Sequence, residues 1–351
     1  MPDEKHIIYC ILDWGLGHAT RSVPLIQNLQ ERGFKITIAT SGYLYNSFII
    51  KELRDVQFLE LMPYEPKYSK RKKQVRRLLL QIPHFVRVFV SDKIRIRKFI
   101  QQNSVQFIFS DNRFSCRCRK VRSVYLTHQV NILKPANLDP WLLPSAVHRY
   151  WMGKFDECLV PDNPDKLFKG LTNHDGLSKK LKYIGFLSRF NNIEHNRSHK
   201  HILVILSGPE PQRSIFEKII VSAAYHTDEK IILVRGTEKL LGKALTDNVM
   251  VYNIAETIVL KKLLQDCSYV VCRSGYSSVM DLIISETPAI IVPTPGQSEQ
   301  EYIAETADEN SWFVVQDQYN FVFLKPEVVK TECKLPDIKN NYLDVVISEI
   351  V

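Results

Sequence analysis

Two segments half a chain apart limit what this sequence can fold into. HIIYCILDWGLGHATRS (6–22) and HILVILSGPEPQRS (201–214) each begin as an unbroken apolar run, pass a turn with Gly or Pro, and open into a helix. A strand without polar alternation has both faces of its sheet covered, the mark of a parallel α/β sheet. After the first segment, a helix over 21–32 leads to strands at 34–40, 56–61, 105–110 and 123–128. After the second, strands at 230–236, 248–254, 269–272 and 289–293 alternate with helical stretches. Strand–helix alternation run twice predicts an α/β chain of two Rossmann-like, doubly wound domains facing across a cleft. A length of 351 residues suits two cores better than one. The expected division is 1–185, then 186–335, with a helix-like tail at 336–351 packing back across the domains. Polar stretches at 161–180 and 190–200, punctuated by Gly, Pro and Asn, read as loop and linker.

Composition narrows the class. Hydrophobic residues make up 45% and charged residues 24%, which argues for a globular chain rather than a disordered one. No apolar run reaches the roughly 20 residues needed to span a bilayer. The N-terminal run has no cleavage-type site and reads as a first strand, so the expected location is the cytoplasm. Seven cysteines follow no zinc spacing and read as small core residues. The net charge of +9 is local: residues 67–98 hold twelve Lys and Arg against one acid, Asp92, and the remainder is slightly acidic. That segment joins a polybasic run to an apolar stretch, Leu78 to Val90. It is too charged to cross a membrane but suited to lie in the headgroup plane of an anionic leaflet. A basic helix packing its apolar side on its own domain is the alternative. Nucleic acid is not expected, since no recognition motif accompanies the charge.

Four places could carry chemistry. Gly15 and Gly17 flank a turn at a strand end, where bare backbone can approach a ligand, with His18 beside it. Ser274, Gly275, Ser277 and Ser278 open a helix with N–H and O–H donors suited to phosphate oxygens, and Asp281 follows one turn later, placed to accept from ribose hydroxyls. The same residues would also serve as an ordinary Ser cap with a dipole-favoured acid. Glu299 and Gln300 stand at a third strand-to-helix turn and could reach sugar hydroxyls. Asp111 and Arg113, with His128 and Gln129, lie at adjacent strand ends and could supply a base and an anion contact.

Together these segments resemble the GT-B glycosyltransferases of family 28, which include the N-acetylglucosaminyltransferase of the lipid-linked peptidoglycan precursor and the plant galactolipid synthases. The likeness is most specific at RSGYSSVMDLIISETPAIIVPTPGQSEQEYIA (273–304), and GLGHATR (15–21) resembles the family's amino-terminal glycine loop. A bacterial group of family-28-like proteins shares SDNRF, THQ, GPEPQR and YIG-LSRF. The resemblance implies a nucleotide-sugar donor, a UDP-sugar, as co-substrate and no cofactor. Its diphosphate would lie against Ser207, Gly208 and the Ser274–Ser278 helix start, with Asp281 on the ribose and Ile254 at the base. Gln300 and Glu299 would contact the sugar, and Arg189 and Arg213 the phosphates. The sequence departs from the family in the prolines around Gly208, in Asp281 where relatives have Glu, and in Thr127-His128-Gln129 where they have His-Glu-Gln.

The implied chemistry is one inverting displacement, with His18 as base and His128 or Asp111 as rivals. The chain has no Asp-x-Asp, so a metal-bridged diphosphate is not expected. The expected acceptor is lipid-linked or membrane-presented, with the protein peripheral on the inner face of the cell membrane. A nucleotide-sugar hydrolase on the same fold, or a non-catalytic nucleotide-sugar-binding membrane partner, are the competing readings.

Overall fold

The computed structural model describes residues 5–65, 80–134, 142–177, 179–190, 193–194, 200–238, 245–338 and 342–351. Contacts divide the chain into two compact units. The first runs to Arg189 and takes in the C-terminal 338–351, and the second runs from Phe190 to Asp337.

In the first unit, strands β1 (His6–Ile11), β2 (Lys35–Thr40), β3 (Val56–Glu60), β4 (Phe107–Asp111), β5 (Arg122–Leu126), β6 (Glu157–Val160) and β7 (Leu181–Tyr183) form one parallel sheet. Their spatial order is β3-β2-β1-β4-β5-β6-β7. β1 is wholly buried because its alternate residues enter two cores. Ile7, Tyr9 and Ile11 pack with Val23, Ile26 and Leu29 of helix α1 (Leu16–Glu31). Ile8 and Cys10 pack on the other face with Ile108, and with Ile96 of helix α2 (Ile82–Gln102). Helix α3 (Leu142–Met152) adds Met152 to a third cluster around Tyr125 and Phe155.

The second unit repeats the plan. Strands β8 (His201–Ile205), β9 (Ile231–Val234), β10 (Val249–Tyr252), β11 (Cys267–Cys272), β12 (Ala289–Ile291) and β13 (Val314–Val315) run parallel in the order β10-β9-β8-β11-β12-β13. Helices α4 (Gln212–Ala224), α5 (Tyr276–Ile284) and α6 (Ser298–Glu309) follow β8, β11 and β12. In such sheets a crevice forms at the carboxyl ends of the strands where the order reverses. That point falls between β1 and β4 in the first unit and between β8 and β11 in the second.

Three details differ from the sequence reading. Helix α1 begins at Leu16, five residues before Arg21, because Gly15 reverses the chain at once. β6, β7 and β13 have four residues or fewer and little pattern of their own. The first unit extends past 185 because Leu187 is buried in its core, and the C-terminal helix Tyr342–Ile350 sets Ile347 and Ile350 into that same cluster. Ion pairs Arg32–Asp344 at 3.0 Å and Lys182–Glu349 at 2.9 Å hold the helix there. All seven cysteines are free thiols, five of them buried.

Candidate functional site

Asp111, the last residue of β4, lies in register with Ile11 at the switch point of the first sheet. Gly15 turns the chain after β1 at φ 131° and ψ 167°, a backbone that a side chain would strain. His18 therefore sits in the first turn of α1, and Arg21 and Ser22 follow on its inward side. All three converge on Asp111. His18 Nδ1 lies 2.8 Å from Asp111 Oδ1, and Arg21 Nε donates to Oδ2 at 2.7 Å. Arg21 Nη2 donates to Oδ1, and Nη1 meets His128 Nδ1. The Ser22 hydroxyl lies 3.2 Å from Oδ2. Asp111 and Arg21 are fully buried, whereas the His18 side chain keeps 17% exposure.

Burial alone would raise the Asp111 pKa, but the charge of the Arg21 guanidinium and the hydrogen bonds from Arg21 and His18 hold it well below the usual carboxylate range. An ionised carboxylate can only accept. Arg21 Nη2 also lies 2.9 Å from His18 Nδ1, a contact that would ask this nitrogen to accept instead. Asp111 decides between the tautomers. Arg21 already donates to both carboxylate oxygens, and a bare lone pair facing Oδ1 at 2.8 Å would be repelled. Nδ1–H therefore donates to Asp111, and Nε2 carries the lone pair. Nε2 makes no hydrogen bond among the described residues. An imidazole oriented by a buried carboxylate, with its far nitrogen toward solvent, is equipped to take a proton.

The second switch point is built differently. β8 leads into Ser207 and Gly208, both exposed, with Gly208 at φ 96° and nothing within 4 Å of where a Cβ would stand. β11 leads through Ser274 and Gly275 into α5, whose first turn has no side-chain cap and no acid. β12 leads into the turn before α6. The Ser274 hydroxyl donates to the Gln300 carbonyl at 2.8 Å, and the Thr294 N–H donates to Gln300 Oε1 at 2.9 Å, so the last two turns are latched together. Gln300 Nε2 makes no hydrogen bond among the described residues. Ser277 and Ser278 lie in the first turn of α5 and Asp281 in the second, all half-buried, as is Glu299. This edge offers the exposed backbone at Gly208, a helix start without a side-chain cap, and hydroxyls, with a carboxylate beyond them.

Residues 203–322 match the model of the glycosyltransferase family 28 C-terminal domain. The match lies within the second unit. An uncharacterized glycosyltransferase of Methanosarcina mazei is 26% identical over 179 residues, covering 48% of this chain and 46% of that protein, so the chain spans about half the length of the curated relative it matches. Among solved structures, the glycotransferase of kitacinnamycin superposes with a TM-score of 0.65 at 15% identity, covering 95% of this chain and 90% of that one. The spinosyn rhamnosyltransferase SpnG, complexed with thymidine diphosphate, gives 0.60 at 15% identity over 98% and 95%. The fold is that of the GT-B glycosyltransferases.

Three arginines expected at the ligand have acids of the protein beside them. Arg213 is held by Glu210 at 2.7 Å and Glu217 at 2.6 Å. Burial alone would raise Glu210, but bonds from Ser214 and Arg213 lower it. Arg113 pairs with Asp92 at 2.7 Å, donates to the Met62 carbonyl at 2.6 Å and stands over Tyr64, well inside the first unit. Arg189 belongs to the first unit, 3.8 Å from Glu52 and above the Phe48 ring. Ile254, beyond β10, is 53% exposed. Gln129 caps its own turn by donating its N–H to Thr127 Oγ1 at 3.1 Å. Gly17 is exposed on the first turn of α1.

One feature escaped the sequence reading. Arg21 joins both histidines to Asp111, and its signal was a cation on the inward face of helix α1. The basic segment expected at a membrane surface is described in part. Of residues 67–98, those from 67 to 79 lie outside the described residues, but α2 buries Val88, Asp92 and Ile96 and turns Ile82, Val86, Val90 and Ile94 outward. Beside it α3 exposes Leu142, Leu143, Val147 and Tyr150, the two helices touching through Phe89 and Trp151 at 5.1 Å. Slight burial and then the charges of Arg97, Arg117 and Arg119 lower the Lys93 pKa, so cations crowd here. No helix among the described residues is long and apolar enough to cross a membrane.

Proposed function

We propose that the chain is an inverting glycosyltransferase that moves a sugar from a nucleoside-diphosphate donor to a lipid-linked or membrane-presented acceptor. The observation that carries this reading is the His18–Asp111 pair on a GT-B fold whose other unit holds the family 28 match. His18 Nε2 takes the proton of the acceptor hydroxyl as its oxygen bonds the anomeric carbon. The carbon–phosphate oxygen bond breaks, its electron pair leaves with the diphosphate, and the anomeric configuration inverts. Asp111 stabilises the imidazolium, as a carboxylate behind a catalytic histidine does. The leaving diphosphate meets the N–H groups at Gly208 and at the start of α5, without a bridging metal, and Asp281 takes the ribose hydroxyls. Uridine is the proposed base, and the thymidine diphosphate bound to SpnG makes thymidine its rival.

The acceptor reading is supported by the α2–α3 surface, where apolar side chains lie among arginines and lysines. Each cation near an anionic leaflet contributes about 1 kcal/mol. The protein would thus work peripherally, at the cytoplasmic face of the cell membrane.

The test is transfer of labelled sugar from UDP- and TDP-sugars to a membrane lipid extract, with EDTA present, using wild type and His18→Ala. We expect transfer by the wild type, a loss of roughly 10²–10⁴-fold in the variant, and unchanged donor binding. Release of free sugar without a glycosylated lipid would show hydrolysis instead. Donor binding with neither product would leave only a binding protein.

A further inference from the structure

The three largest fully buried side chains among the described residues are arginines: Arg21, Arg113 and Arg273. Arg21 is paired with Asp111 and Arg113 with Asp92. Arg273 has no carboxylate partner among the described residues. Its Nη1 donates to the carbonyls of Val292 at 3.3 Å and Pro293 at 3.2 Å. Its Nη2 donates to the Gln212 carbonyl at 3.2 Å and to the side-chain oxygen of Gln318, itself fully buried. The guanidinium stands 4.2 Å above the Phe216 ring. Burial pushes its pKa down to about 10, and the groups that offset the effect are the Cys272 thiol and the Tyr319 phenol, with no carboxylate among them.

A buried charge without a counter-ion is costly, and dipoles with a ring face are its only protein partners among the described residues. The acceptors share one location. Val292 and Pro293 are the exit of β12, Gln212 begins α4 after the Ser207–Gly208 turn, and Arg273 is itself the exit of β11, directly before Ser274 and Gly275. One side chain thus braces the turns that meet at the second switch point and leaves its positive charge unspent beneath them.

We propose that Arg273 is a positioning residue and remote counter-ion for the donor diphosphate, its charge left unpaired in the protein so that a bound pyrophosphate group completes it. This rests on the proposed donor site. The guanidinium does not touch the ligand: it fixes the turns and lends them a field.

The test separates charge from bracing. Gln318→Glu places a carboxylate against Arg273, which neutralises the cation while keeping the brace. Arg273→Met removes both. Calorimetric titration with uridine and UDP, and with thymidine and TDP, gives the gain in affinity that the diphosphate confers. We expect Gln318→Glu to melt no lower than wild type, to bind the nucleoside within about twofold, and to lose at least about tenfold of the diphosphate gain, or about 1.4 kcal/mol. Arg273→Met, where it folds, should lose at least as much. An undiminished diphosphate gain in a folded Gln318→Glu protein would overturn the inference and leave the donor site standing. Equal weakening of nucleoside and diphosphate in both variants would also overturn it, since a brace alone would do that. Failure of the wild type to bind any of the four would sink the donor-site reading itself.

Discussion

At the switch point of the first sheet, charge is closed on itself: Asp111, Arg21, His18 and His128 satisfy one another within a few ångströms. At the switch point of the second, the backbone is bare around Gly208 and Gly275, and the cation beneath, Arg273, has no acid to meet among the described residues. The two sheets share a topology and differ in where the missing partner lies. In the first, the His18 ring is oriented by Asp111 before anything binds. In the second, the electrostatics are incomplete without an anion. One arrangement suits proton transfer, the other the capture of a charged donor.

The comparison is broken most directly by making the same change in both places. Asp111→Ala should destabilise the first unit by about 3–5 kcal/mol, since it strands the buried Arg21. Asp281→Ala, at a half-buried position, should cost under about 1 kcal/mol in stability yet weaken donor binding about tenfold or more. Urea melts of each variant, alongside calorimetric titration with UDP, read both quantities. Similar stability losses in the two would show that the second site is as self-contained as the first.

A buried histidine sharpens the same contrast. His148 of α3 packs edge-on to Phe114 at 5.0 Å, and its Nε2 is shut from solvent without a hydrogen bond. Burial, with the nearby charges of His128 and Arg149 adding to it, pushes its pKa to about 4 despite a bond the ring donates to the Gln129 backbone. The folded protein then refuses a proton that the unfolded chain accepts below about 6.5. Stability from this group is complete above about pH 6.5 and is lost as pH falls toward 4, by at most about 3 kcal/mol. Thermal melts across that range should show the decline, and His148→Phe should flatten it. A decline of equal slope in the variant would assign it to other groups.

Much of the fold was legible because β1, β8 and β11 are buried on both faces and print that as apolar runs. The short strands β6, β7 and β13 print almost nothing. In the candidate site, His18 and Asp111 could be named from their strand ends, but not their contact, which spans 93 residues. The arginines expected at the ligand divide in the same way. Arg213 has its acids three residues before it and four after, a helical spacing that was there to be read. Arg113 meets Asp92 across 21 residues and Arg189 meets Glu52 from much farther, and only the packed fold supplies those partners. A lone arginine in a motif invites a ligand, and the structure shows which ones already have an acid.

The proposed membrane surface is a third environment, with charge and apolar area both left to solvent. The double variant Val86→Ser/Ile94→Ser removes two half-exposed side chains from it, each worth about 1 kcal/mol if buried in a leaflet. Co-sedimentation with vesicles rich in phosphatidylglycerol should fall roughly 30-fold, while donor affinity stays as in the wild type. Binding that is unchanged in the variant, or equal on neutral vesicles, would return α2 to the role of an ordinary surface helix.

The smallest expected effect tests the bare backbone itself. Gly15 and Gly208 both hold positive φ, at 131° and 96°, and neither has an atom within 4 Å of the place a methyl group would take, so alanine would meet strain and no clash. That strain costs about 1–2 kcal/mol at either site. Its effect on ligands should differ between the units. If Gly208 relaxes toward negative φ, its N–H turns away from the diphosphate, so Gly208→Ala should weaken UDP more than uridine. Gly15→Ala should leave both affinities alone and lower turnover, because it moves the helix start that carries His18. Equal losses of UDP and uridine on Gly208→Ala would mean that the turn shapes the site without reading the phosphates, and the N–H groups at the start of α5 would then carry that contact alone.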